Sequence, residues 1–142
     1  MGDKLIIYTD GGSRGNPGPA AIGILVGDKT YGEVIGVATN NVAEYKAVIF
    51  ALKKAKHLLG GEKAAIAKLE VRSDSKLIVE QLSGNFKILE ETLQPLFLEA
   101  WNLRLDFQEV NFKLIPREKN KEADALVNEA LDNASREQGS LL

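Results

Sequence analysis

The sequence predicts an α/β domain built on a five-stranded mixed sheet, three antiparallel strands followed by two parallel ones, flanked by helices. Three observations predict it. The first 38 residues hold three apolar, β-branched runs joined by short Gly- and Pro-rich links, which is the pattern of an antiparallel meander. From residue 41 onward, helix-period segments alternate with two further strand-like runs, and strands separated by helices pair in parallel through crossovers. A chain of 142 residues can bury about 70% of its unfolded surface in one core, so no covalent staple is required.

Each element has a local reason. KLIIYTD, residues 4–10, is β-branched and aromatic and reads as a strand ending at Asp10. AAIGILVG and TYGEVIGVA read as the next two strands, with GDKT as the tight turn between them. NVAEYKAVIFALKKAKHLLGG, from residue 41, lacks proline and closes on two glycines, as a long helix does. AKLEVRSD is a strand, and SKLIVEQLSG a short helix stopped by Gly84. TLQPLFLEAWNLRLDF reads as a helix in which Pro95 is tolerated near the start if Thr92 is the N-cap. QEVNFKLIP is the last strand and NKEADALVNEALDNA the last helix. Residues 1–134 are thus expected to form one domain and 135–142 a frayed tail, whose two leucines are free to dock.

Composition removes several chemistries. There is no cysteine, hence no disulfide, thiolate nucleophile or cysteine-ligated metal. The lone histidine, His57, excludes a poly-histidine zinc site and leaves any serine triad resting on one residue. The start MGDKLIIYTD lacks the apolar core of a signal peptide and no run reaches membrane-spanning length, so a cytoplasmic protein is expected. A net charge of −2 gives no global basic signature, so a nucleic-acid partner would have to meet a local patch.

Four acids stand at element ends: Asp10, Glu44, Asp74 and Asp124. In an open α/β sheet, strand C-termini and adjacent helix N-termini gather at one edge, and acids converging there call for cations. Each also has a simpler reading. Asp10 suits a turn, Glu44 a capping box with Asn41, Asp74 the N-cap of the following helix, and Asp124 a helix dipole. Glu44 heads the stripe Val48, Ala51, Ala55, Leu58, whose spacing turns it toward the sheet rather than water.

The stretch YTDGGSRGNPGPAAIG, residues 8–23, is neither a Walker loop, since it lacks the G-K-[ST] ending, nor a dinucleotide fingerprint, since a strand rather than a helix follows. A wide hairpin turn explains its glycines and Pro17. It does not explain the aspartate directly before them.

Four segments, in order from about Leu5 to Ala134, are similar to those of type 1 ribonuclease H. TDGGSRGNPGP resembles that family's D-G-[S/A]…G-N-P-G opening, TNNVAEYKA its T-N-N-x-x-E start of the long helix, SDSKLIV its [T/S]-D-S segment, and NKEADALVNEA its last helix with N-x-x-x-D. The resemblance implies the ribonuclease H-like fold and metal-dependent hydrolysis of the RNA strand of RNA–DNA hybrids. It places the family's acidic quartet on Asp10, Glu44, Asp74 and Asp124, as ligands of two Mg²⁺ ions, with Mn²⁺ an alternative, and with Asp10 bridging them. One ion would activate water for in-line attack and the other neutralise the departing 3′-oxygen, leaving 5′-phosphate and 3′-hydroxyl ends. Gly11, Asn16, Asn40 and Asn41 would meet the hybrid, where a 2′-hydroxyl distinguishes RNA from DNA, and Thr39 a phosphate of the DNA strand. A monomer is expected.

The chain departs from the pattern twice. Only GNFKILEE stands where many members insert a basic protrusion, leaving Lys76, Lys87 and Arg14 as a smaller phosphate-binding surface or as ordinary solvated charge. The loop PREKNKEAD lacks the histidine that many members carry before the last aspartate. Arg117, Lys119 or Glu118 stand near that place, and Arg117 and Lys119 are poor bases at neutral pH. Two alternatives stay open: a catalytically weak hybrid-binding module, or a nuclease of the same fold acting on another phosphodiester.

Overall fold

The structure is a computed structural model and describes residues 4–140. Strands β1 (Lys4–Ser13), β2 (Gly18–Val26), β3 (Lys29–Ala38), β4 (Lys68–Ser73) and β5 (Glu109–Leu114) form one sheet in the order β3-β2-β1-β4-β5. The first three pair antiparallel, β4 lies parallel to β1, and β5 parallel to β4. The expected mixed sheet is the observed one. The helices are α1 (Asn40–Leu59), α2 (Gly61–Ala65), α3 (Lys76–Leu82), α4 (Gln94–Leu103) and α5 (Lys121–Ser140), with single 3₁₀ turns at Arg104–Asp106 and Arg117–Lys119.

The pleat of β2 sorts its side chains between two layers, because successive residues of a strand face opposite sides. Ile22, Ile24 and Val26 join Ile7, Leu52, Leu69 and Val71 in the main core beneath α1. Ala21 faces the other way and packs with Val127 and Leu131 of α5. Large residues on one side and small ones on the other let α5 sit close to the sheet. Two glycines make that proximity possible at the site edge. A Cβ on Gly11 would lie 2.3 Å from the Ala43 carbonyl, and one on Gly23 2.3 Å from the Ala123 carbonyl oxygen. Both distances are far inside van der Waals contact, so β1 touches α1 and β2 touches α5 backbone to backbone.

Several boundaries differ from the sequence expectation, each for a local reason. β1 does not end at Asp10 but runs to Ser13, because Gly11, Gly12 and Ser13 pair with Ile22, Ala21 and Ala20. The N-cap of α1 is Thr39, whose hydroxyl accepts the Val42 N–H at 3.2 Å, rather than Asn41. Glu44 therefore lies beyond the first turn and takes no part in a capping box. α1 stops where Gly60 adopts φ +81°, and the short α2 follows. Ser75, not Asp74, caps α3, accepting the Ile78 N–H at 3.4 Å. The residue before α4 is Leu93, and the Thr92 hydroxyl donates to Glu90 instead. α5 continues through Ser140 instead of fraying after Ala134; the two closing leucines and residues 1–3 lie outside the described residues. Among the described residues no helix is long and apolar enough to cross a membrane.

Candidate active site

The corrected caps free Glu44 and Asp74 from the capping roles open to them in the sequence. The pleat puts Asp10 on the α5 side of β1, paired across from Gly23. Glu44 arrives from the α1 side, over the bare backbone of Gly11. Asp74 follows β4 immediately before the Ser75 cap, and Asp124 lies in the first turn of α5. Carboxylate oxygens of Asp10, Glu44 and Asp74 all lie within 4.8 Å of one another. Asp124 stands outside that trio but lines the same cleft, together with Asn40, Asn41 and Arg117.

Glu44 is the most tightly held of the four. The Gly11 N–H donates to its Oε1 at 2.9 Å, and the Ser73 hydroxyl to its Oε2 at 3.4 Å. Glu44 and Asp10 are each only 8% exposed, and among the described residues no lysine or arginine pairs with any of the four acids. The consequence is electrostatic. Burial, then the charges of Asp74 and Asp124, push the Asp10 carboxyl up to about 7, against the lowering effect of its hydrogen bond with Glu44. Burial first, and then the Asp10 charge, raise Glu44 well above the carboxylate range, offset in part by the Gly11 N–H. Converging acids without a cationic partner repel one another, and an all-oxygen set of this kind fits a hard divalent cation.

The expected substrate-facing residues divide into two groups. Around the cleft, the asparagines are interlocked. The Asn40 N–H donates to Asn16 Oδ1 at 3.0 Å, while Asn40 Oδ1 accepts the Ser13 N–H at 2.9 Å and its hydroxyl at 3.2 Å. Both asparagines thus spend their carbonyl oxygen inside the protein and keep their NH₂ groups for an outside acceptor. Arg14 lines the cleft too, ion-paired to Asp132 at 2.7 Å. Thr39 is occupied as the helix cap. Lys76 and Lys87 are exposed and do not line this cleft. Glu118 and Lys119 line a separate depression beside Tyr8, and His57 another near the end of α1. Of the loop residues before α5, it is Arg117 that reaches the four-acid cleft.

Three residues of the site were not singled out by their sequence. Ser73 touches Glu44 and also accepts the Ser75 N–H at 3.0 Å. The Asn128 amide donates to the carbonyl of Asp124 at 3.2 Å and to its Oδ2 at 3.4 Å, a four-residue helical spacing that is legible once Asp124 is suspected. Asn120, 1% exposed, donates to Asp74 Oδ2 at 3.2 Å. In the sequence it stands only as the asparagine of the N-x-x-x-D segment.

The chain is similar to known proteins over most of its length. Residues 8–130 match the reverse transcriptase-like protein family. The chain is 40% identical over 139 residues to ribonuclease HI of Halobacterium salinarum, covering 94% of this chain and 67% of that one. It is 42% identical over 140 residues to a bifunctional protein of Mycobacterium tuberculosis, covering 94% of this chain but spanning only 37% of the relative's length. The crystal structure of LC11 ribonuclease H1 in complex with an RNA/DNA hybrid superposes with a TM-score of 0.86 at 46% identity, covering 92% of this chain and 99% of that one. With these likenesses running nearly end to end, the chain belongs to the reverse transcriptase-like family, among the ribonuclease H enzymes of type 1.

Proposed function

We propose that this chain is a divalent-metal-dependent endonuclease that hydrolyses the RNA strand of RNA–DNA hybrids. The observation that carries the reading is the convergence of Asp10, Glu44 and Asp74 within 4.8 Å, buried or half-buried and without a lysine or arginine ion pair among the described residues, with Asp124 in the same cleft. These four carboxylates would hold the metal, as a pair of Mg²⁺ or Mn²⁺ ions. Bound there, divalent cations supply activation of water and charge neutralisation at the departing 3′-oxygen.

The chain's own residues do the rest. Glu44 is fixed by the Gly11 N–H and Ser73, so one carboxylate is oriented before any ligand arrives. The free NH₂ groups of Asn16 and Asn40 present donors at the cleft rim, suited to a 2′-hydroxyl or a base-edge acceptor of the RNA strand. Gly12 leaves the backbone bare for close approach, whereas the open side of Gly11 is filled by the α1 backbone at Ala43. Arg117, always charged, faces a phosphate with a fixed cation and cannot serve as a base. Asn41 lines the cleft beside Asn40, and Thr39, Lys76 and Lys87 are assigned to the DNA strand and flanking phosphates.

The test is an end-labelled RNA–DNA hybrid incubated with the protein, with Mg²⁺ or with EDTA, beside Asp10→Asn and a DNA-only duplex. Metal-dependent cutting of the RNA strand alone, leaving 5′-phosphate ends and abolished by the substitution, is the expected result. Intact RNA with both Mg²⁺ and Mn²⁺, despite measurable binding of the hybrid, would make the chain a binding module. Cutting of the DNA duplex would make it a nuclease for another phosphodiester.

A further inference from the structure

An asparagine at a helix start ordinarily spends its side-chain oxygen on an amide of its own helix. Asn120 does not. Its main-chain carbonyl accepts the Asp124 N–H at 3.1 Å, while its side chain turns away from α5 into the end of the sheet. There its Nδ2 donates to the Thr9 carbonyl at 2.9 Å and to Asp74 Oδ2 at 3.2 Å. An amide nitrogen carries two hydrogens, so both bonds form at once, and the reverse orientation would set Oδ1 against two acceptors. The surroundings therefore decide which atom is the nitrogen. They leave Oδ1 buried with no hydrogen-bond partner among the described residues, an arrangement that costs stability and that capping alone does not require.

One residue, 1% exposed, thus links three parts of the cluster: its side chain holds the backbone next to Asp10 and the carboxylate of Asp74, and its main-chain carbonyl belongs to the helix turn carrying Asp124. We infer that Asn120 is a positioning residue, which locks the Asp74 carboxylate against β1 and the start of α5 so that the acidic cluster is preorganised for a divalent cation. This rests on reading the cleft as a cation site. Groups that orient a metal's carboxylate ligands typically change affinity 10- to 100-fold when lost.

Two substitutions test it. Asn120→Asp keeps the shape and removes the donor; Asn120→Ser removes the amide without adding charge, and serves alone if the first does not fold. Each folded variant is titrated with Mn²⁺ in the absence of nucleic acid, and hybrid binding is measured separately in EDTA. The expected result is Mn²⁺ affinity weaker by at least about 10-fold, with hybrid affinity of Asn120→Ser in EDTA changed by less than about two-fold and kcat lowered more than KM is raised. A folded Asn120→Ser that melts earlier yet binds Mn²⁺ within about two-fold of the wild type would overturn the proposal and leave Asn120 a stability residue. Wild-type protein that itself binds no Mn²⁺ would overturn the cation-site reading, and the proposal with it, so the two failures are told apart by the wild-type titration.

Discussion

Asp10 and Gly23 face each other across β1 and β2, and the missing side chain of Gly23 is what lets the first turn of α5 descend onto that pair. A Cβ there would meet the Ala123 carbonyl oxygen at 2.3 Å and the Leu126 Cβ at 2.9 Å. Gly23→Ala should therefore push α5 outward, cost about 1–3 kcal/mol as overpacking does, and weaken divalent binding by moving Asp124. Gly61→Ala, where nothing lies within 4 Å of the added atom, should change stability by less than about 0.5 kcal/mol. Paired denaturant melts check both. Equal costs at the two positions would mean that the close approach at Gly23 has no energetic role.

The raised carboxyls make metal-free stability depend on pH. Asp10 sits at about 7 when folded, against an ordinary 3.8. Between those values the folded protein keeps a proton that the unfolded chain has released, so stability falls as pH rises through this window. The penalty is absent below about pH 4, complete above about pH 7, and on the order of 4–5 kcal/mol at about 1.4 kcal/mol per unit. In EDTA, Asp10→Asn should melt above the wild type at pH 8 and match it more closely near pH 4.5. Added Mg²⁺ should narrow the gap at pH 8, because the ion stabilises only the wild-type cluster. A wild type that is the more stable in EDTA at pH 8 would contradict the sign.

A second buried polar pair tests the scaffold apart from the cluster. Tyr45, fully buried, donates its hydroxyl to Gln81 Oε1 at 2.6 Å, and Gln81 in turn donates to the Lys87 carbonyl at 3.2 Å. Burial holds the Tyr45 phenol up at about 12, so it remains a donor at any working pH. Tyr45→Phe leaves Gln81 Oε1 unsatisfied and should cost about 1–3 kcal/mol, lowering Tm by roughly 3–10 °C. Hybrid cleavage well below Tm should stay near the wild-type rate. A cleavage defect at full foldedness would show that the segment after α3 helps to hold the substrate.

If Lys76 and Lys87 meet phosphates, each contributes to the salt dependence of hybrid binding. Replacing either by alanine should reduce the slope of log affinity against log salt by roughly 0.7–0.9. An unchanged slope in both variants would return them to ordinary surface charge.

Much of the site was legible in the sequence because each acid comes with its own local signature: the glycines after Asp10, the asparagine pair before Glu44, the serine after Asp74, the spacing from Asn120 to Asp124. The sheet was legible for the same reason, since strand and helix periods are local. What was not legible depends on distant partners. Asn120 reaches Thr9 across 111 positions and Ser73 reaches Glu44 across 29, and no window of sequence contains both ends. Gly23 looked like one small residue among others until the register put it opposite Asp10. The caps at Thr39 and Ser75 were misassigned to neighbours that could chemically do the same job, Asn41 and Asp74. Only the fold shows that Asp74 is wanted elsewhere.

Asp10, Glu44 and Asp74, with Asp124 beside them, are expected to form a divalent-cation site. The most direct measurement is an anomalous difference map from crystals of the wild type soaked in Mn²⁺. Density is expected within coordination distance of carboxylate oxygens from all three clustered acids, and is expected to be lost in crystals of Asp10→Asn. Saturating Mn²⁺ with no density in the cleft, or density only at other surface carboxylates, would contradict it.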